Sequence, residues 1–250
     1  MKSRSVEGSK LDVSALGDVI ELSIETIRKP ELEKLQGLDE LPLEMLALRW
    51  LSAADLTVVP FPKNLIRFRI WHSSKLKSLK GLETAENLKE LYICDNGSPL
   101  DISALHSLTK LEHLIVDGGY GDGNALIGFD ALEGLPIEQL TMINIKGADL
   151  DLGPVARLPK LKELDLPTRL FPAEEVAKVA AAKPWYYGQL KDLPKAKSHF
   201  ANPCKKCGQM PHELFLKGKK FLWCLDCQGA KVADHLADFD ALVSKCLGRT

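Results

Sequence analysis

The chain has 250 residues, is 45% hydrophobic and 27% charged, and carries a formal net charge of −1. These values exclude an intrinsically disordered chain and a global attraction to polyanions, leaving only local ones. No run of about 18 apolar residues occurs, which excludes a membrane-spanning helix, and the opening MKSRSVEGSKLDVSAL lacks the apolar stretch of a secretory signal.

The first dozen residues are polar and are expected to be mobile. From residue 18 a ten-residue phrase recurs seven times, with apolar residues at its second, fifth and seventh places. The copies begin at Asp18, Pro42, Asn64, Asn87, Lys110, Pro136 and Lys160. Their fifth positions are Leu22, Leu46, Phe68, Leu91, Leu114, Leu140 and Leu164, at steps of 24, 22, 23, 23, 26 and 24 residues. Alternation at the fifth and seventh places predicts a short strand with one buried face. Upstream pairs such as Leu38/Leu41, Leu105/Leu108 and Val155/Leu158 predict a second inward-facing element in each unit. No unit has enough apolar area to stand alone, so the units must stack, with their strands in parallel. The crossovers are too short for long helices and should be turns, 3₁₀ segments or brief helices. The ungapped match of LPLEMLALRWLSAADL (41–56) to LPIEQLTMINIKGADL (135–150) supports true repetition.

A period of about 20–29 residues on a Leu-x-x-Leu-x-Leu core is the leucine-rich-repeat signature. Residues 13–190 resemble that family, and bacterial internalin-like repeats in particular, with LDISALHSLTKLEHLIV (100–116) the best copy. The resemblance implies an α/β fold: a solenoid of about seven to eight repeats with a parallel concave sheet. One departure is plain. The family places Asn or Cys five residues after the first strand leucine, and here only Asn96 does so; the other copies carry Ile27, Leu51, Ser73, Gly119, Ile145 and Arg169. The segment AEEVAKVAAAK (173–183) predicts a helix closing the array, and PWYYG (184–188) an eighth, degenerate strand whose aromatics seal the end.

Residues alternating with the buried leucines should point outward and form a binding surface. Repeats two to five thereby gather Arg49, Trp50, Arg67, Arg69, Trp71, His72, Tyr92 and His113, side chains of the kinds that dominate interface energy. The glycine-rich DGGYGDGN (117–124) lacks the Lys-Ser/Thr of a phosphate loop and the carboxylate spacing of a calcium loop, and reads as a flexible connection.

After the repeats the composition changes. The boundaries expected are 1–190 for the repeat domain, 191–203 for a linker, and 204–250 for a small module with a C-terminal helix. The module carries Cys204-x-x-Cys207 and, after sixteen residues, Cys224-x-x-Cys227. Two such pairs at this spacing predict a four-thiolate Zn²⁺ site, because zinc prefers four tetrahedral ligands and each tight turn supplies two. Four protein ligands leave no open position, so the metal would be structural. Residues 213–223 predict two strands around Lys217-Gly218, so the module resembles a zinc ribbon. Val232, Leu236, Phe239, Val243 and Cys246 then share one face of an amphipathic helix, with Cys246 packed in the core. His212 and His235 are alternative ligands that four cysteines make unnecessary.

No G-x-S-x-G, H-E-x-x-H or Cys–His arrangement is present, so no enzyme is expected. The expected function is that of a cytoplasmic, bacterial adaptor that binds a partner protein, in one form a toxin-neutralising immunity protein. The alternative is a nucleic-acid-associated factor, since residues 195–231 hold eight lysines against Glu213 and Asp226.

Overall fold

A computed structural model describes residues 2–119, 123–146, 151–193, 195–196, 201–215 and 222–248. They form two compact units, one of residues 1–146 and 158–166, the other of residues 147–157 and 167–250.

In the first unit, strands β1 (Ser3–Glu7), β2 (Glu21–Glu25), β3 (Met45–Arg49), β4 (Arg67–Trp71) and β5 (Glu90–Cys94) are followed by β6 (Leu100–Asp101), β7 (His113–Asp117), β8 (Asn124–Ile127), β9 (Gln139–Ile143), β10 (Ile145–Lys146) and β11 (Glu163–Asp165). Eight of them make one parallel sheet in the order β1-β2-β3-β4-β5-β7-β9-β11. The register is that of the repeats: Leu22, Leu46, Phe68, Leu91, Leu114, Leu140 and Leu164 stand side by side. All are buried, Phe68 completely, with its ring edge-on to Phe61 at 5.0 Å. Each such side chain contributes roughly 1.5–3 kcal/mol by leaving water. Short 3₁₀ turns at Val13–Ala15, Lys29–Leu35, Leu38–Glu40, Leu82–Thr84, Ser103–Ser107 and Phe129–Leu132 bring the second apolar element inward, as the sequence predicts.

Strands β2, β3, β4, β5 and β9 end on the same device. Thr26, Trp50, His72, Asp95 and Asn144 have φ between 48° and 55°. This left-handed conformation costs about 1–2 kcal/mol in a residue with a Cβ. It resets the strand alternation, so that the next residue turns back into the core: Ile27, Leu51, Ser73, Asn96 and Ile145 are all buried. Ser73 and Asn96 satisfy the backbone there. Ser73 Oγ accepts from Leu51 N–H (3.0 Å), and Asn96 Oδ1 accepts from Ser73 N–H (3.1 Å). Ser73 thus does in its repeat what Asn96 does in the next.

Two expectations for this unit need correction. The N-terminal residues are not a loose end: Ser3–Glu7 pairs with β2 as the edge strand. Its side chains are polar because a terminal strand has only one neighbour to pack against. The glycine-rich stretch is not merely a loop, because its last residue, Asn124, opens β8. This strand joins β6 and β10 in a second parallel sheet, β10-β8-β6. Gly118 and Gly123 lie so close to Asn144 that a Cβ on either would meet its carbonyl oxygen at 2.1 and 2.3 Å. Residues 120–122 of that stretch lie outside the described residues.

The second unit contains α1 (Gly153–Ala156), α2 (Ala173–Ala182), α3 (Pro184–Lys191), an antiparallel pair β12 (His212–Glu213) and β13 (Leu222–Trp223), and α4 (Leu225–Cys246). α2 packs against α1, α3 and α4. The expected eighth strand over 184–188 is instead the start of α3: Pro184 sits at the first helical position, where its fixed φ and missing N–H cost nothing. Tyr186 is buried, and Trp185 stands edge-on to it. The antiparallel pair agrees with the two strands expected between the cysteine pairs; the Lys217-Gly218 turn lies outside the described residues. The C-terminal helix is longer than its apolar stripe. It buries Val232, His235, Phe239 and Val243, while Cys246 is exposed and not packed in the core. Among the described residues no helix is long and apolar enough to cross a membrane.

Candidate binding face and metal centre

The outward face of the large sheet carries six of the predicted surface residues in three columns, with Trp50 and His72 just beyond the ends of β3 and β4. The middle one reads Ser23, Ala47, Arg69, Tyr92, Ile115, Thr141 and Asp165 along the register. Ala47 is the exception to exposure, at 2%, under its larger neighbours. Arg49, Trp50, Trp71, His72 and Tyr92 form one connected group. The Arg49 guanidinium lies 5.6 Å from the Trp50 ring centre and 5.4 Å from that of Trp71. Trp71 meets Tyr92 edge-on at 5.8 Å, and Trp50 stacks on His72 at 5.8 Å. His72 Nδ1 is 2.8 Å from Asp95 Oδ2. Trp50 remains 48% exposed because its left-handed backbone turns the ring away from the core.

The other predicted residues behave differently. Arg67 is held by Glu21 at 3.0 Å, and Arg49 is drawn toward Glu25 at 3.5 Å. Arg69 is exposed between Ala47 and Tyr92, and no described residue makes an ion pair with it. His113 lies one strand beyond Tyr92, in register with Glu90 and Gln139, and outside the ring cluster. Glu21 is the residue that sequence reasoning missed; Glu25 shares the column of Arg49 and Trp71 that the repeat spacing already gives, but its pairing with Arg49 is seen only in the structure. Burial, followed by its neighbour Cys94, pushes the Tyr92 hydroxyl up to about 12, so it is a neutral donor at physiological pH.

In the second unit the sulfurs of Cys204, Cys207, Cys224 and Cys227 all lie within 4.8 Å of one another. Cys204–Cys227 and Cys207–Cys224 are 3.8 and 3.3 Å apart. A disulfide would require about 2.05 Å, whereas four thiolates at about 2.3 Å from a central metal stand about 3.8 Å apart. The donor set therefore fits a metal ion such as zinc. The first pair sits in a tight turn closed by Gly208 N–H donating to the Cys204 carbonyl (2.8 Å), with Gly208 at φ 73°. Backbone N–H groups of Lys206 and Cys207 aimed at Cys204 hold its thiol down at about 6. The second pair does not form the matching tight turn that the sequence predicts. Cys224 immediately precedes α4 and Cys227 lies in its first turn, which a kink at Gln228 sets off from the rest of the helix. The Gln228 side-chain oxygen accepts from Cys224 N–H (3.2 Å), and the Gln228 backbone departs from helical geometry at φ −133°. Crowding by the other thiols, Cys207 foremost, pushes Cys227 up to about 12, the electrostatic conflict that a bound dication removes.

Both histidines are committed elsewhere. His212 Nδ1 is 2.6 Å from the Leu193 carbonyl, and buried His235 places Nε2 2.9 Å from the Phe215 carbonyl. No family model matches the chain, and no curated protein is similar enough to count as a relative.

Proposed function

We propose that the chain is a non-catalytic binding protein: a leucine-rich-repeat solenoid that holds a partner protein on the concave side of its parallel sheet, with a structural Zn²⁺ on Cys204, Cys207, Cys224 and Cys227. The observation that carries this reading is the run Trp50–Arg49–Trp71–Tyr92, whose side chains pack on one another across the face. Aromatic and guanidinium groups fixed in this way lose little conformational freedom on binding, which is what makes such groups interface anchors. A cytoplasmic adaptor or a toxin-neutralising immunity protein would need this and no catalytic group.

The test is affinity capture from native lysate with and without nuclease. A single nuclease-resistant protein, recovered in near-equal amount and lost on Trp71→Ala or Arg69→Ala at unchanged melting temperature, is the expected result. Retention by both variants rejects the face as the binding site.

A second reading places nucleic acid on the cysteine-bearing unit. It is favoured by exposed Lys205 and Lys206 between the first two ligands and by Lys231 on α4. That complex would weaken steeply with rising salt, whereas an aromatic-anchored protein interface would weaken less.

A further inference from the structure

The charges on the sheet face are not mixed evenly. On the β2–β4 side, Glu25 and Glu21 already neutralise Arg49 and Arg67. Removing those pairs leaves one uncompensated cation, the exposed Arg69, in the middle column and in register with Tyr92. On the β5–β11 side the outward positions hold Glu90, in register beside Arg67, then His113, Asp117, Glu163 and Asp165, and no described cation forms an ion pair with any of the four acids. The face is thus a dipole across the strands, with a single positive point at β4 and an acidic field from β5 to β11.

Resting on the reading of this face as a binding surface, we infer that its partner is a protein segment of matching polarity: a carboxylate seated on Arg69, followed by basic side chains over the acidic half. The donor at the anionic end is a single exposed guanidinium, suited to one carboxylate. A phosphate backbone crossing the same face would run into four acids, so a nucleic acid is the wrong shape of charge. Strands stand about 4.8 Å apart and an extended chain advances about 3.3 Å per residue. A segment crossing the sheet from Arg69 therefore reaches β7, where Asp117 lies two residues along the strand from the middle-column Ile115, about three residues after its carboxylate. It reaches β11, with Asp165, after about six. The recognition pattern is an acidic residue with Lys or Arg three and six places to one side.

The experiment is selection of a displayed random twelve-residue peptide library on the immobilised full-length, zinc-loaded protein. Peptides carrying Asp or Glu with Lys or Arg at those spacings should be enriched. Arg69→Glu should weaken them at least tenfold and, on reselection, replace the acid with a base. Arg69→Gln, similar in length and uncharged, should weaken them without that replacement. A pool lost on Trp71→Ala but indifferent to Arg69→Glu overturns this inference and leaves the binding face standing. A pool indifferent to both variants, or no enriched pool at all, overturns both.

Discussion

The two units are held together by different physics. The sheet unit stacks one apolar column after another, and every strand of the large sheet from β2 to β9 adds a fully or nearly fully buried leucine or phenylalanine to the same line. Losing one such residue leaves its neighbours paired. In the cysteine-bearing unit the described residues from Ala201 to Cys227 bury little beyond Ala201, Pro211, Leu214, Phe215 and Cys224. Its knuckle, its two-residue strands and the start of α4 converge on four sulfurs. Stability in the first unit is spread over many contacts, and in this segment it is concentrated in one centre.

That contrast predicts the largest effect for metal removal. Binding a structural zinc is coupled to folding by an amount on the order of 10 kcal/mol. A strong chelator, or Cys204→Ser with Cys227→Ser, should unfold the Cys204–Cys227 segment while the sheet unit keeps its melting transition. Hydrogen exchange resolved by segment checks this: protection should vanish at 204–227 and persist at β2–β9. Global unfolding on chelation would break the contrast.

The converse variant is Phe68→Ala. Phe68 is fully buried and rests on Phe61, so its truncation should cost about 3–5 kcal/mol. Denaturant unfolding of the sheet unit should report that loss, and the bound zinc measured by a colorimetric chelator should not change. Asn96→Ala is a gentler cut in the same unit. It strips the acceptor from Ser73 N–H and the donor to the Ile70 carbonyl, a loss of about 1–3 kcal/mol without a large cavity.

The same difference decides what was legible in the sequence. Repeated burial leaves a repeated pattern, so the strands, their parallel order and their register follow from the spacing of Leu22, Leu46, Phe68 and their successors. Concentrated chemistry leaves a motif, so the four cysteines are legible too. What escaped depends on neighbours far apart in the chain. Ser3–Glu7 has no apolar alternation because an edge strand needs none. Ser73 carries no mark of its capping role until Leu51 lies beside it. Glu21 and Arg67 are 46 residues apart and meet only across two strands. The early start of α4 is masked by Gly229, a poor helix former just after the kink at Gln228.

Acid should separate the units by a smaller but cleaner margin. Asp101 Oδ1 accepts from Ser103 N–H at 2.9 Å and from its hydroxyl at 2.6 Å, and these bonds hold its pKa below the ordinary 3.8. Asp12 is lowered in the same way by Ser14. A carboxylate with a depressed folded-state pKa contributes stability that is complete above its unfolded value. That contribution fades as pH falls from about 4 through the folded value. Metal thiolates fail earlier on the same descent, since protons compete with the metal for sulfur. An acid titration followed by zinc release and by far-ultraviolet circular dichroism should therefore show two steps, metal loss first and sheet unfolding second. Asp101→Ala should destabilise the sheet unit at neutral pH, and its deficit against wild type should shrink below about pH 4, because the bonds it lacks are those that protonation weakens. A deficit that stays constant down to the unfolding transition would mean that the turn acts through shape alone, and that the acid response of the sheet unit originates elsewhere.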